Sequence, residues 1–287
     1  MSRLPALPLI ALVWALSMPA AQASLGSVVE ASLPSGKLAS ADFQAGRRDR
    51  PAVLVLHGFM QTRTFPTIES ITGALSSAGY TVLAPTLSLG ISRRNRSLAC
   101  EALHLHTLDD DVAEVGYWVN WLVRKGYPRI VLVGHSFGNL QLLAYLGRAP
   151  SPAVKRLLMV SLTDVEVKQD ARQRAAQARA LKARVARNDA SLAEVELGYC
   201  RKYVGPPAAL LSYMTFSRRT VLDALAKAPV PATAIMGGKD ERMGPDWVDA
   251  LTARGIDVRV VPGATHFFDN QYEFDLQDAV LRAMAEQ

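Results

Sequence analysis

Short apolar runs rich in β-branched residues alternate along this chain with longer stretches whose apolar positions recur every three to four residues. The runs at 52–56, 81–84, 130–133, 157–161, 233–236 and 258–261 are near-continuously apolar. Strands read this way when helices cover both faces of a parallel sheet. Between them, 68–77, 109–124, 140–147, 245–253 and 274–285 carry helical spacing, and Gly79, Gly126 and Gly255 sit just past helix ends, where a left-handed cap is wanted. Upstream, 28–33 and 37–43 predict an antiparallel edge hairpin across Pro34-Ser35-Gly36. The alternation predicts an α/β fold with a mostly parallel central sheet and helices on both faces.

One stretch breaks the rhythm. Residues 164–227 show no good strand, and within them 171–187 is rich in Ala and Arg, with Leu181 and Val185 as its larger apolar residues. Two readings stand side by side: a solvated helix held by high intrinsic propensity, or part of a helical cap inserted over a site. The position of the insertion favours the cap. Its Arg172, Arg174, Arg179, Lys182, Arg184 and Arg187 either solubilise the helix or supply a positive field that steers anionic substrates.

The N-terminus is set apart from the fold. Arg3 gives a positive start, Leu4 to Ala20 is apolar and broken by Pro5 and Pro8, and Ala21-Gln22-Ala23 has the small-x-small form of a signal-peptidase site. Residues 1–23 are expected to be a signal peptide, with Ser24 first after cleavage and the product secreted or periplasmic. The uninterrupted apolar part falls short of the roughly 20 residues a bilayer requires. Residues 24–287 are then expected to form one domain with its insertion at about 164–227.

Composition narrows the function classes. An apolar share of 49% is ample for one substantial core, and a formal charge of +6, one unit of it from Arg3, favours anionic surfaces or substrates without demanding them. With no zinc-finger spacing and no basic run interleaved with aromatics, nucleic-acid binding is not expected. The cysteines are Cys100 and Cys200. An oxidising compartment permits a bond between them, and the sequence leaves bonded and free thiols equally open.

The chemistry centres on Gly134-His135-Ser136-Phe137-Gly138, which follows a strand and precedes a helix. This is the context of a nucleophile elbow, where flanking small residues allow a sharp turn that exposes the serine. A serine hydroxyl needs a base and a group that orients the base. His266, on a loop shortly after the last strand, fits the base better than His57, His104, His106 or His135. The orienting acid is expected between serine and histidine: Asp240, just after the strand at 233–236, with Asp164 as rival.

In these motifs, their order and their spacing, the chain from about residue 51 onward resembles α/β-hydrolases of the esterase, lipase and acyl-peptidase superfamily. That resemblance implies an oxyanion hole made by the amide of Phe137 and the amide following His57-Gly58, which is that of Phe59. His57 itself is expected to shape the turn. The implied reaction is hydrolysis of a small-molecule carboxylic ester through an acyl-enzyme, with no cofactor. An acyltransferase or peptidase on the same residues, or a non-catalytic binding protein of the same fold, are the alternatives. Met60-Gln61-Thr62-Arg63 and the loop 85–107 are expected to line the pocket. Cys100, His104 and His106 form a suggestive trio, but nothing completes the set usual for zinc, and no metal is expected.

Overall fold

The computed structural model describes residues 26–166 and 169–286, so the signal-peptide expectation lies outside the described residues. An antiparallel hairpin, β1 (Ser27–Ser32) and β2 (Leu38–Gln44), opens the fold at the expected place. Leu33 and Gly36 close its turn through backbone hydrogen bonds from Leu33 to Lys37 and from Gly36 to Leu33.

The parallel strands are β3 (Ala52–Leu56), β4 (Thr81–Thr86), β5 (Ile130–His135), β6 (Val154–Val160), β9 (Ala232–Gly237) and β10 (Asp257–Val261). With the hairpin they form an eight-stranded sheet in the order β1-β2-β4-β3-β5-β6-β9-β10. Period-two alternation splits each central strand between two cores. Leu54, Leu56, Ile130 and Leu132 face one, while Val53, Val55, Val131 and Val133 face the other. The second core is closed by α1 (Pro66–Ser77) and α8 (Tyr272–Ala285), through Ile68, Ile71, Leu75, Leu276, Val280 and Met284. The first is closed by α2 (Leu108–Arg124) and α3 (Gly138–Leu146), with Trp118 fully buried. Thr107 and Asp110 form a reciprocal capping box at the start of α2. β10 departs from the expected pattern: it is the sheet's last strand and stays half-exposed, with Val260 at 44%.

The insertion also departs from expectation. Between β6 and β9 lie α4 (Ala171–Ala186), then an antiparallel hairpin of β7 (Ala193–Leu197) and β8 (Cys200–Gly205), then α5 (Pro207–Tyr213) and α6 (Arg218–Ala226). The two strands were not expected. Their signal is present, since Glu194, Val195, Glu196 and Leu197 alternate up to Gly198, which turns with φ +57°. Cys100 and Cys200 are bonded, which fastens this hairpin to the loop after β4. The His104 backbone amide donates to the Val204 carbonyl at 2.8 Å beside the bond, and a Cβ at Gly205 would overlap the His104 carbonyl. α7 (Pro245–Thr252) completes the fold and buries Trp247.

Strand order places the site. The chain steps from β3 outward to β4, then returns across β3 to β5, so the connections after β3 and β5 diverge between neighbouring strands. Open α/β sheets leave a crevice at such a switch, at the carboxyl ends of the strands. Ser136 follows β5 and His57-Gly58 follows β3.

Candidate active site

Ser136 adopts φ +54°, a left-handed conformation costly for any residue but glycine. The turn is held on both sides. Its amide donates to the Val160 carbonyl at 2.9 Å, its carbonyl accepts from the Asn139 amide at 3.1 Å, and the Asn139 side chain donates to the same Val160 carbonyl. A Cβ at Gly134 would overlap the Asn139 side-chain oxygen, and one at Gly138 would overlap the His57 carbonyl. Gly138 therefore lets the first turn of α3 press against the His57 backbone, and Gly134 lets that turn fold back close onto β5.

His266 Nε2 lies 2.8 Å from Ser136 Oγ, and His266 Nδ1 lies 2.7 Å from Asp240 Oδ2. All three residues are buried. The His266 carbonyl is gripped by Ser161 Oγ at 2.7 Å and by His135 Nε2 at 3.2 Å, so the loop carrying the imidazole is pinned to β5 and β6. Burial alone would raise the Asp240 carboxyl, but the hydrogen bond from His266 and that ring's charge hold it below its ordinary value. Asp240 Oδ1 accepts from the Arg242 amide at 3.0 Å, leaving Oδ2 for the imidazole. Asp164 is not brought to His266. Its Oδ1 accepts from the Glu166 amide at 2.7 Å, and burial pushes its carboxyl up.

Phe59 and Phe137, the expected oxyanion donors, line the same cavity as Ser136 with their rings 4.6 Å apart, and neither residue's amide has an acceptor among the described residues. The Phe59 loop is fixed from both ends: the Gly58 amide donates to Gln61 Oε1, and the Gln61 amide donates to the Gly58 carbonyl. His57 is structural, as expected. Its Nδ1–H donates to the Gly58 carbonyl at 2.8 Å, so Nε2 is free to accept from the Leu87 amide at 3.1 Å. Burial, aided by the Arg94 charge, drops its pKa to about 3 and keeps it neutral.

Arg94 was missed by sequence reasoning. Its buried guanidinium donates to the carbonyls of Leu87, Met60, Arg96 and Gln61, and its Nη2 lies 3.2 Å from His57 Nε2. It ties the loop after β4 to the loop after β3. Nothing distinguishes it in sequence from its exposed neighbours Arg93 and Arg96.

Ser136 opens into a cavity of about 580 Å³. Its walls come from Phe59 and Phe137, from Thr163, Asp164 and Gln169, from Arg242, and from the hairpin residues Glu196 and Gly198 to Arg201. The expectation that Met60 to Arg63 and the 85–107 loop line it is corrected. Arg63 is drawn away by Asp42, Ser40 and Thr86, and Arg94 points into the protein, so these loops support the wall from behind. Nor do the basic residues of α4 line the cavity: Arg174 pairs with Glu166, and Arg184 with Asp189. Among the described residues no group of three or more His, Cys, Asp or Glu side chains is set to hold a metal, and Cys100 of the suspected trio is bonded to Cys200. Among them, too, no helix is long and apolar enough to cross a membrane.

The sequence profile of the Alpha/beta hydrolase family matches residues 53–274. Among solved structures, Est1E from Butyrivibrio proteoclasticus is similar at 18% identity and TM-score 0.61, covering 91% of this chain and 98% of that one. A thermophilic esterase from Thermogutta terrifontis (malate bound) is similar at 17% identity and TM-score 0.61, with the same shares covered. The esterase domain of a Rhodothermus marinus protein follows at 17% identity and TM-score 0.58, over 91% and 98% of the two chains. No curated protein matches the chain in sequence.

Proposed function

The chain belongs to the alpha/beta hydrolase family, and on that footing we propose that it is an exported serine hydrolase that cleaves a carboxylic ester through an acyl-enzyme. The observation that carries this reading is the continuous row from Ser136 Oγ through His266 to Asp240, at 2.8 and 2.7 Å. His266 Nε2 takes the Ser136 proton as Oγ attacks the ester carbonyl, and Asp240 holds the Nδ1–H tautomer that leaves Nε2 basic. The tetrahedral oxyanion is received by the amides of Phe59 and Phe137, whose N–H groups need no reorganisation at the moment charge develops. His266 then returns the proton to the departing alcohol, and water repeats the cycle on the acyl-serine. The Thermogutta terrifontis esterase shares the fold, which is compatible with an ester substrate.

The test is labelling by a fluorophosphonate probe. Modification at Ser136 in the wild type, and none in Ser136→Ala, is expected. Labelling that survives Ser136→Ala would overturn the assignment. Export rests on the segment 1–23 and on the Cys100–Cys200 bond, which an oxidising compartment favours.

A further inference from the structure

Arg242 occupies an unusual position in the cavity wall. Its guanidinium carbon lies 5.2 Å from the centroid of Tyr199, at the tip of the β7–β8 hairpin, and 5.0 Å from that of Phe267, the residue after His266. Its backbone amide is bound by Asp240. The side chain is thus rooted beside the acid and held by two aromatic rings, with the same cavity in front of it as Ser136. Such packing fixes the guanidinium plane and uses its faces, leaving its N–H edges outward.

Those edges have no protein acceptor among the described residues, and no carboxylate pairs with Arg242 there. Arg63, Arg174, Arg184, Arg218 and Arg259 each hold a carboxylate, whereas Arg201 and Arg242 in this cavity wall hold none among the described residues, and of these two Arg242 is the one flanked by aromatic rings. A guanidinium that is oriented and unpaired, inside the cavity that holds the nucleophile, is built to receive an anion from the substrate. Its planar fork matches a carboxylate, which it binds through two parallel N–H···O bonds.

The rest of the wall limits the charge of that anion. Asp164 and Glu196 also line the cavity, opposed by Arg242 and Arg201, so formal charges balance there. A dianion would meet two carboxylates, whereas one negative charge placed at Arg242 leaves the others undisturbed. Phe59, Phe137 and Tyr199 line the same cavity with apolar surface. We propose that Arg242 is a specificity-determining residue and that the preferred substrates are esters bearing one free carboxylate, the half-esters of dicarboxylic acids being the simplest.

This inference rests on the ester-hydrolase reading for its kinetic arm and not for its binding arm. In the kinetic arm, monoethyl succinate, glutarate and adipate are compared with neutral ethyl esters of equal acyl length, in wild type and Arg242→Gln. The ratio of kcat/KM values, half-ester over neutral ester, should favour the half-ester for at least one length in the wild type. Arg242→Gln should lower that ratio about 10- to 100-fold, as loss of a charged hydrogen-bonded pair implies. An unchanged ratio overturns the proposal. In the binding arm, the same half-esters are titrated calorimetrically into Ser136→Ala and into Ser136→Ala/Arg242→Gln, with circular dichroism showing that both are folded. A Kd weaker by about 10- to 100-fold in the double variant supports the anion site even if no ester is turned over. Equal Kd values overturn it, and competition by inorganic phosphate as strong as by the half-ester overturns the singly charged class.

Discussion

Among single residues, the proposed chemistry depends on which carboxylate orients His266. Asp240 does so at 2.7 Å, while Asp164 is committed to the Glu166 amide. Asp240→Asn should lower kcat by up to about 10⁴-fold, by favouring the wrong imidazole tautomer, with the fold intact. Asp164→Asn should cost far less, and steady-state kinetics of the two variants separates them. On the proposed mechanism, Arg94 positions the loop that carries the Phe59 amide, through the Met60 and Gln61 carbonyls. Arg94→Met strips donors from the Leu87, Met60, Arg96 and Gln61 carbonyls and should lower kcat by about 10²-fold or more, with KM changing much less. Loss of kcat should persist at temperatures where circular dichroism shows the variant folded; a purely structural role predicts normal kcat there. The row of Ser136, His266 and Asp240 was legible because each of the three follows a strand in a fixed chain order. Arg94 and Arg242 were not, since a buried clamp and an aromatic-flanked arginine are made by residues distant in sequence.

At the scale of elements, the β7–β8 hairpin is what turns the crevice at the strand ends into a bounded cavity. Its anchor is the Cys100–Cys200 bond across 100 residues, for which the chain-entropy model gives about 4.7 kcal/mol before any strain is subtracted. Cys100→Ser/Cys200→Ser should therefore lower the Tm and, because Tyr199 and Arg201 adjoin Cys200, raise KM more than it lowers kcat. Calorimetry with parallel kinetics checks this; an unchanged KM would show that the hairpin holds its place without the bond. The hairpin was missed for a physical reason. Its strands are five and six residues long, one face is solvated, and Glu194 and Glu196 dilute the apolar signal next to an Ala-rich helix. The central strands, covered on both faces, announced themselves as unbroken apolar runs. β10, predicted alike from its valines, is an edge strand, and burial at an edge is decided by neighbours that no local window contains.

At the scale of the whole molecule, stability should depend on pH with a definite sign. Burial lowers the pKa values of His57 and His135 to about 3 and of His104 and His106 to about 4, so the unfolded chain binds more protons at these groups below its ordinary value of 6.5. Their contribution is present above about pH 6.5 and is lost as pH falls toward 4. Asp111 and Glu114 act oppositely: burial lifts both to about 7, so the folded state binds more protons, and stability declines as pH rises from about 4 to 7. The imidazoles outnumber the carboxyls. Tm should therefore rise from pH 4.5 to about 6.5 and flatten above it, and a scan of Tm against pH that falls through this window would contradict the burial described. Export predicts that protein recovered from the periplasm or medium begins at Ser24, whereas full-length chain confined to the cytosol would contradict it. An acyl-enzyme on Ser136 can be trapped by mixing the protein with 4-nitrophenyl acetate, quenching in acid within milliseconds and mapping the adduct by mass spectrometry. One acetyl group should appear on the peptide that carries Ser136, formed as nitrophenol is released and absent in Ser136→Ala. Nitrophenol release with the acetyl group on another residue, or release undiminished in Ser136→Ala, would contradict it.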